Sequence, residues 1–261
     1  NRAIDFRGVL HSKLFPLCFE GATNFDELAF SNAFAIDLAL ESSRRNLLRK
    51  GDAGCRVTLK SLTFSTIGQN LEFAENAVIG ETYIHSRIEK DDSILVQVNS
   101  HANYLTLVSG AVAERSDCDV SELRESLNVT DARKKMNGEE FYNSLRILGY
   151  SCSESFSVIT GVTCVCEAPN THIYDISLEV GGYLEFVSCG IVSEVVMQLW
   201  MYVNRRVETL DSLEQISYYW REIATLKSLR VAIRSVEGCV DISVFSESNL
   251  VLHLKNPKFN A

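Results

Sequence analysis

The sequence predicts an α+β fold in which two similar units each wrap an antiparallel sheet around one helix. Three observations lead there. Short runs alternating apolar and polar residues, bounded by polar turns, read as antiparallel strands. Helical and strand-like stretches follow one another in an order that occurs twice, a repeat of pattern and not of residue identity. The third is "IVSEVVMQLWMYV", residues 191–203, which is apolar on nearly every side. Such a helix has no face to offer water, so it must be enclosed. A curved antiparallel sheet encloses it, which is the hot-dog arrangement; two such units in one chain make a pseudo-dimeric double hot-dog.

In the first unit, residues 24–49 read as a helix. Phe25, Leu28, Ala29, Ala33, Ile36 and Leu40 recur at three- and four-residue spacing, and the basic "SSRRNLLRKG" closes it. Four strand-like runs follow: "CRVTLKSLTF", "NAVIGETYIHSRIEK", "SILVQVNSHA" and "YLTLVSGAVAE". Residues 116–139 are polar, poor in aromatics and read as a linker, with the short amphipathic "GEEFYNSLRILG" at its end. In the second unit "FSVITGVTCVCEA" and "HIYDISLE" lead to a helix at about 190–207. The runs "ISYYWREIATL", "SLRVAIRS", "CVDISVFSES" and "NLVLHLK" then read as strands. The halves fall at 1–115 and 140–261. Joining their sheets edge to edge removes two exposed edges that invite aggregation.

Composition narrows the function. The chain has 261 residues, 46% hydrophobic and 23% charged, which is globular and not disordered. Net charge is −9 with no basic cluster, which argues against nucleic acid and anionic membrane as partners. No apolar run reaches the roughly 18 residues of a membrane helix. The start, "NRAIDFRGVL", has neither a signal-peptide core nor a methionine, so a segment of a longer cytoplasmic protein is expected. The eight cysteines include no CxxC and no zinc-like His/Cys spacing, so no metal site is expected. Cys164 and Cys166 have strand spacing, which predicts free thiols on one face.

Two residues stand out chemically. His11 ends a short apolar run ahead of the first helix. Glu194 is the only charged residue between Glu185 and Arg205, inside the apolar helix, with Gln198 one turn on along the same face. A carboxylate there is costly to bury ionised and needs hydrogen-bond partners or a raised pKa. It either reaches the helix rim and solvent or is held in a pocket for acid work. His85, His101, His172 and His253 read as structural.

Several segments carry a resemblance along the length of the chain. "EGATNFDELAF" is similar to a P-G-A-x-Y-x-E-L motif, and "VTLKSLTFSTIGQNLEF" to an L-x-D-L-x-F strand. "VNSHANYLTLVSGAVAE" is similar to W-x-x-H-A-x-G, and "GEEFYNSLRILGYSCSESF" to F-Y-x-x-L-x-x-x-G-Y-x-Y-G-P-x-F. These motifs resemble the double hot-dog dehydratase domains of polyketide synthases and animal-type fatty acid synthases. There a catalytic histidine sits in H-x-x-x-G-x-x-x-x-P and a catalytic aspartate in D-x-x-x-Q. The first motif falls on His11 and runs to Glu20, just before Gly21; the second falls on Glu194 to Gln198.

The resemblance implies a His11/Glu194 acid–base pair, with Phe15, Glu20, Gly21, Tyr150, Phe156 and Gln198 against the substrate. It also shows departures. Phe15 replaces the motif glycine, Glu20 its proline, Cys152-Ser153-Glu154 the Y-G-P triplet, Cys189-Gly190 a His-Pro, and Glu194 the aspartate. The extra methylene of Glu194 moves the acid, and about 1 Å at a catalytic group costs on the order of a hundredfold. A non-standard reaction on an acyl thioester is therefore expected: a double-bond shift, an oxa-Michael cyclisation or support of chain branching. Ordinary dehydration of a 3-hydroxyacyl thioester and a non-catalytic scaffold are the alternatives. The implied partners are an acyl carrier protein, whose phosphopantetheine arm carries the substrate so that no other cofactor is needed, and neighbouring domains such as a ketosynthase. A homodimer is one assembly the resemblance allows.

Overall fold

A computed structural model describes residues 4–9, 32–49, 56–65, 82–89, 91–100, 103–113, 134–150, 152, 156–180, 188–219 and 226–260. In the first half these residues form β1 (Ile4–Val9), α1 (Asn32–Arg49), β2 (Arg56–Phe64), β3 (Thr82–Ile88), β4 (Ser93–Ser100) and β5 (Asn103–Val112). In the second they form β6 (Lys134–Asn137), α2 (Gly138–Ile147), β7 (Ile159–Ala168), β8 (Thr171–Leu178), α3 (Ser188–Asn204), β9 (Thr209–Tyr219), β10 (Ser228–Val236), β11 (Cys239–Ser246) and β12 (Asn249–Asn260). All strand pairs are antiparallel, in the order β1-β3-β4-β5-β2-β9-β12-β11-β10-β8-β7-β6.

The seam between the halves is the β2–β9 pair. It is a full strand ladder from Arg56↔Tyr219 to Thr63↔Ser212, so the two sheets are continuous. Leu59 and Ile216, both fully buried, face each other there, and Thr58 Oγ1 lies 3.1 Å from Ser217 Oγ in the directly opposed pair. Cross-strand pairs of this kind are what stabilise a sheet locally. One hydrophobic core runs through both halves and takes in residues of both long helices. The helices α1 and α3 also pack on one another, so each hot-dog unit borrows the other's helix as a wall.

The burial of the two helices follows their sequences. From Cys189 to Val196 every residue of α3 is buried, as a helix apolar all round requires. Helix α1 exposes Arg45 and Leu48, beside half-buried Glu41, which pairs with Arg45 at 2.7 Å and Arg44 at 3.3 Å. No helix among the described residues is long and apolar enough to cross a membrane.

The helix read over 24–49 is described from Asn32 to Arg49, and 24–31 lie outside the described residues. Two expectations are corrected. The stretch read as linker ends in structure: Lys134–Asn137 is strand β6, paired to β7. Its polar side chains hide it, because an edge strand is held by its backbone. Asn137 then caps α2 in a reciprocal box, its Oδ1 accepting from Glu140 N–H while Glu140 Oε2 accepts from Asn137 N–H, both at 2.9 Å. Finally, Cys164 and Cys166 do not share a face. A bulge at Val165 shifts the register from Cys164↔Tyr174 to Cys166↔Ile173. Cys164 joins the main core, and Cys166 packs with Val165, Ile173 and Ala232 in a separate cluster. Neither cysteine is in a disulfide.

Gly138 sets how closely α2 lies on β7. A Cβ there would sit 2.3 Å from the backbone oxygen of Ile159 and 3.1 Å from Thr160 Cα. Backbone atoms cannot swing aside, so Gly138→Ala is expected to cost about 1–3 kcal/mol in urea unfolding. An unchanged midpoint would show that α2 has slack against the sheet.

Candidate active site around Glu194

The site is assembled by α3 and by the turn that ends α2. Helix α2 stops at Gly149, whose φ of +93° is the left-handed conformation that glycine adopts without strain. Gly149 N–H bonds to Arg146 O at 2.9 Å and Tyr150 N–H to Leu145 O at 3.0 Å. This paired closure places the second residue past the cap against the helix's own apolar side. That residue is Tyr150, and the closure turns it inward, where it is 1% exposed.

There Tyr150 meets Glu194. Its hydroxyl donates to Glu194 Oε1 at 2.5 Å, and Gln198 Nε2 donates to the same oxygen at 3.1 Å. Both bonds fall on Oε1; among the described residues Oε2 receives none. Gln198 Nε2 also lies 3.2 Å from Cys152 Sγ and 3.3 Å from Phe156 O, so its two hydrogens serve three acceptors. Tyr142 completes the group. Its hydroxyl accepts from Ile159 N–H at 3.0 Å and faces Gln198 Oε1 at 3.3 Å. Glu194 is 3% exposed and Gln198 fully buried, so the carboxyl does not reach solvent at a helix rim.

Burial sets the protonation states. Loss of hydration raises the pKa of Glu194, and the hydrogen bonds from Tyr150 and Gln198 offset part of that rise. The Tyr150 hydroxyl is held well above its ordinary range, chiefly by burial and then by the charge of Glu194. The Cys152 thiol is pushed up to about 12 by the same two causes. The arrangement therefore shifts the carboxyl toward its protonated form, keeps its phenol neighbour as a donor, and holds the nearby thiol neutral. Tyr150→Phe should raise the Glu194 pKa further and cost about 1–3 kcal/mol of stability. A carbon-13 NMR titration of the carboxyl, with urea unfolding beside it, checks both; an unmoved titration would contradict the contact.

Of the residues expected from sequence, Glu194, Gln198, Tyr150 and Phe156 come together in this cluster. His11, Phe15, Glu20 and Gly21 lie outside the described residues, as does His101. His85, His172 and His253 lie on β3, β8 and β12. Tyr142 was missed, although it stands in the same "FYNSLRILGY" segment as Tyr150. Asp37 was missed as well. It is the only charged residue between Glu27 and Glu41, the same signal that marks Glu194. Among the described residues, no three His, Cys, Asp or Glu side chains gather as metal ligands would.

No family model matches the sequence, and no curated protein matches it. Solved structures do. The dehydratase domain of a mycocerosic acid synthase-like polyketide synthase is 10% identical, with a TM-score of 0.67 over 100% of this chain and 92% of that one. The dehydratase domain from the CurK module of the curacin polyketide synthase is 12% identical, with a TM-score of 0.67 over 99% and 92%. That from the terminal module of the rifamycin polyketide synthase is 15% identical, at 0.67 over 99% and 90%. Two variants of the CurK dehydratase, one with histidine changed to phenylalanine and one with aspartate changed to asparagine, are described as inactive mutants. Identities this low speak to fold and not to chemistry. Along its whole length the chain has the double hot-dog fold of the polyketide synthase dehydratase domains.

Proposed function

We propose that this chain is a dehydratase-like domain that moves protons on an acyl chain tethered as a thioester to an acyl carrier protein. The reaction we infer is not simple dehydration. It is a double-bond shift, an oxa-Michael closure of a cyclic ether, or assistance to a neighbouring ketosynthase in branching the chain. One observation carries the reading: a carboxyl in the middle of an apolar helix, biased toward its protonated form by loss of water and held in place by hydrogen bonds from Tyr150 and Gln198. Such a group stores and delivers a proton.

In this scheme His11 takes a proton from the acyl γ carbon in a double-bond shift, or from the attacking hydroxyl in a cyclisation, and Glu194 gives one to the α carbon. The loss of activity in the histidine and aspartate variants of the CurK dehydratase supports assigning the pair in this way. Gln198 and Tyr150 hold Glu194, and Phe156 closes the wall beside it. Phe15, Glu20 and Gly21 shape the approach to the helix. The longer acid and the bulky Phe15 argue for altered placement of the thioester. The substrate arrives on the phosphopantetheine arm of the carrier protein, which supplies the thioester that makes the α and γ protons acidic.

The test offers the domain a 3-hydroxyacyl and a 2-enoyl carrier-protein thioester and follows products by mass and chromatographic retention. The reading expects little water loss from the first and a rearranged or cyclised product from the second. Brisk dehydration of the first would return the domain to ordinary dehydratases. No change in either would leave a scaffold.

A further inference from the structure

We propose that Asp37 is a positioning residue for Glu194: from helix α1 it holds the first turn of helix α3, and this contact sets where Glu194 meets Tyr150 and Gln198. The inference rests on the reading of Glu194 as the site's acid. Asp37 is 7% exposed, and its Oδ1 accepts two hydrogen bonds, from Cys189 N–H at 2.9 Å and Gly190 N–H at 3.2 Å. These are orphan donors at the start of a helix, which a residue just ahead of the helix ordinarily satisfies. Here the acceptor comes from the other half of the pseudo-dimer, 152 residues earlier in the chain.

The geometry makes this contact a ruler. Glu194 follows Gly190 by one helical turn, so about 6 Å of hydrogen-bonded helix joins clamp and acid. A helix does not stretch, and any axial shift of α3 passes undiminished to the carboxyl. The clamp itself stands on a fixed base. Asn32, at the start of α1, donates from Nδ2 to Leu210 O on β9 at 2.9 Å, so α1 is tied to the second half both at the first turn of α3 and on the strand that follows it. An apolar side chain at 37 would fill the same space without holding α3 in register. A shift of about 1 Å at the acid is worth on the order of a hundredfold in rate.

The test compares Asp37→Leu, which fills the site without an acceptor, and Asp37→Asn, which keeps Oδ1. Amide exchange at Cys189 and Gly190 and the carbon-13 titration of the Glu194 carboxyl are read on the whole chain, with Glu194→Gln identifying the signal. Asp37→Leu should speed both amides and move the titration further above the ordinary carboxylate range, as loss of the Tyr150 and Gln198 contacts does, and Asp37→Asn should restore both. On the tethered thioester, kcat should fall about 10- to 100-fold in Asp37→Leu with KM little changed. If Asp37→Leu does not fold, Asp37→Glu, whose oxygen lies a methylene further on, should shift the titration instead. A Glu194 titration indifferent to the substitutions overturns the proposal. Should the unsubstituted domain turn over no thioester, the functional reading fails, and the exchange and titration still decide the clamp.

Discussion

Glu194→Gln is expected to cut turnover of the tethered acyl thioester by about 10²–10⁴-fold while leaving the domain folded. Glutamine has the same length and still offers Oε1 to the Tyr150 hydroxyl and to Gln198 Nε2. What it lacks is an acidic proton to give and take. Burying an amide is cheaper than burying a carboxyl whose charged form has lost its hydration. Urea stability should therefore hold or rise as activity falls, which separates loss of chemistry from loss of fold. Single-turnover measurement at saturating thioester gives the ratio directly. A loss of less than about tenfold would remove Glu194 from the proton path.

The second large effect concerns pH. Asp37 titrates at about 7 in the folded chain against 3.8 for a free aspartate. Burial is the main cause of the rise, the bonds from Gly190 and Cys189 N–H offset part of it, and Glu41 on the same helix adds to it. The Cys189 thiol facing it from α3 is itself held well above its ordinary range by burial and by Asp37. Between these two values the folded state keeps a proton that the unfolded state has released. Stability from this group is therefore full below pH 3.8, declines as pH rises, and is gone above about pH 7. Asp37→Asn cannot lose that proton. At pH 8 the variant should be more stable than the unsubstituted chain by on the order of 3–4 kcal/mol, and near pH 4 the two should match. Urea unfolding at both pH values checks this. A variant that is less stable at pH 8, or offset equally at both, would show that the carboxylate is welcome where it lies.

The fold was legible because its strongest signals are collective. Strand alternation and the all-round apolar character of 191–203 are sums over many residues, and tertiary context could not overturn them. The failures are local. Strand β6 carries polar side chains and is held by backbone pairing to β7, which leaves no trace in hydropathy. The bulge at Val165 reverses the face of Cys166 through one inserted residue, and period-two reading cannot see an insertion. At the site, Glu194 and Gln198 were legible because charge inside an apolar helix is anomalous. Asp37 bears the same mark and went unread. Tyr142 bears no mark at all, because a tyrosine among apolar residues reads as core until its hydroxyl is seen beside Gln198.

The central claim is that Glu194 moves a proton on a tethered acyl chain together with a base, and isotope exchange tests it most directly. A 2-enoyl carrier-protein thioester is incubated in deuterium oxide with the unsubstituted domain, with His11→Ala and with Glu194→Gln, and label at the α and γ carbons is read by mass. The account predicts steady exchange by the unsubstituted domain and its loss in both variants. Exchange that persists undiminished in Glu194→Gln would contradict it.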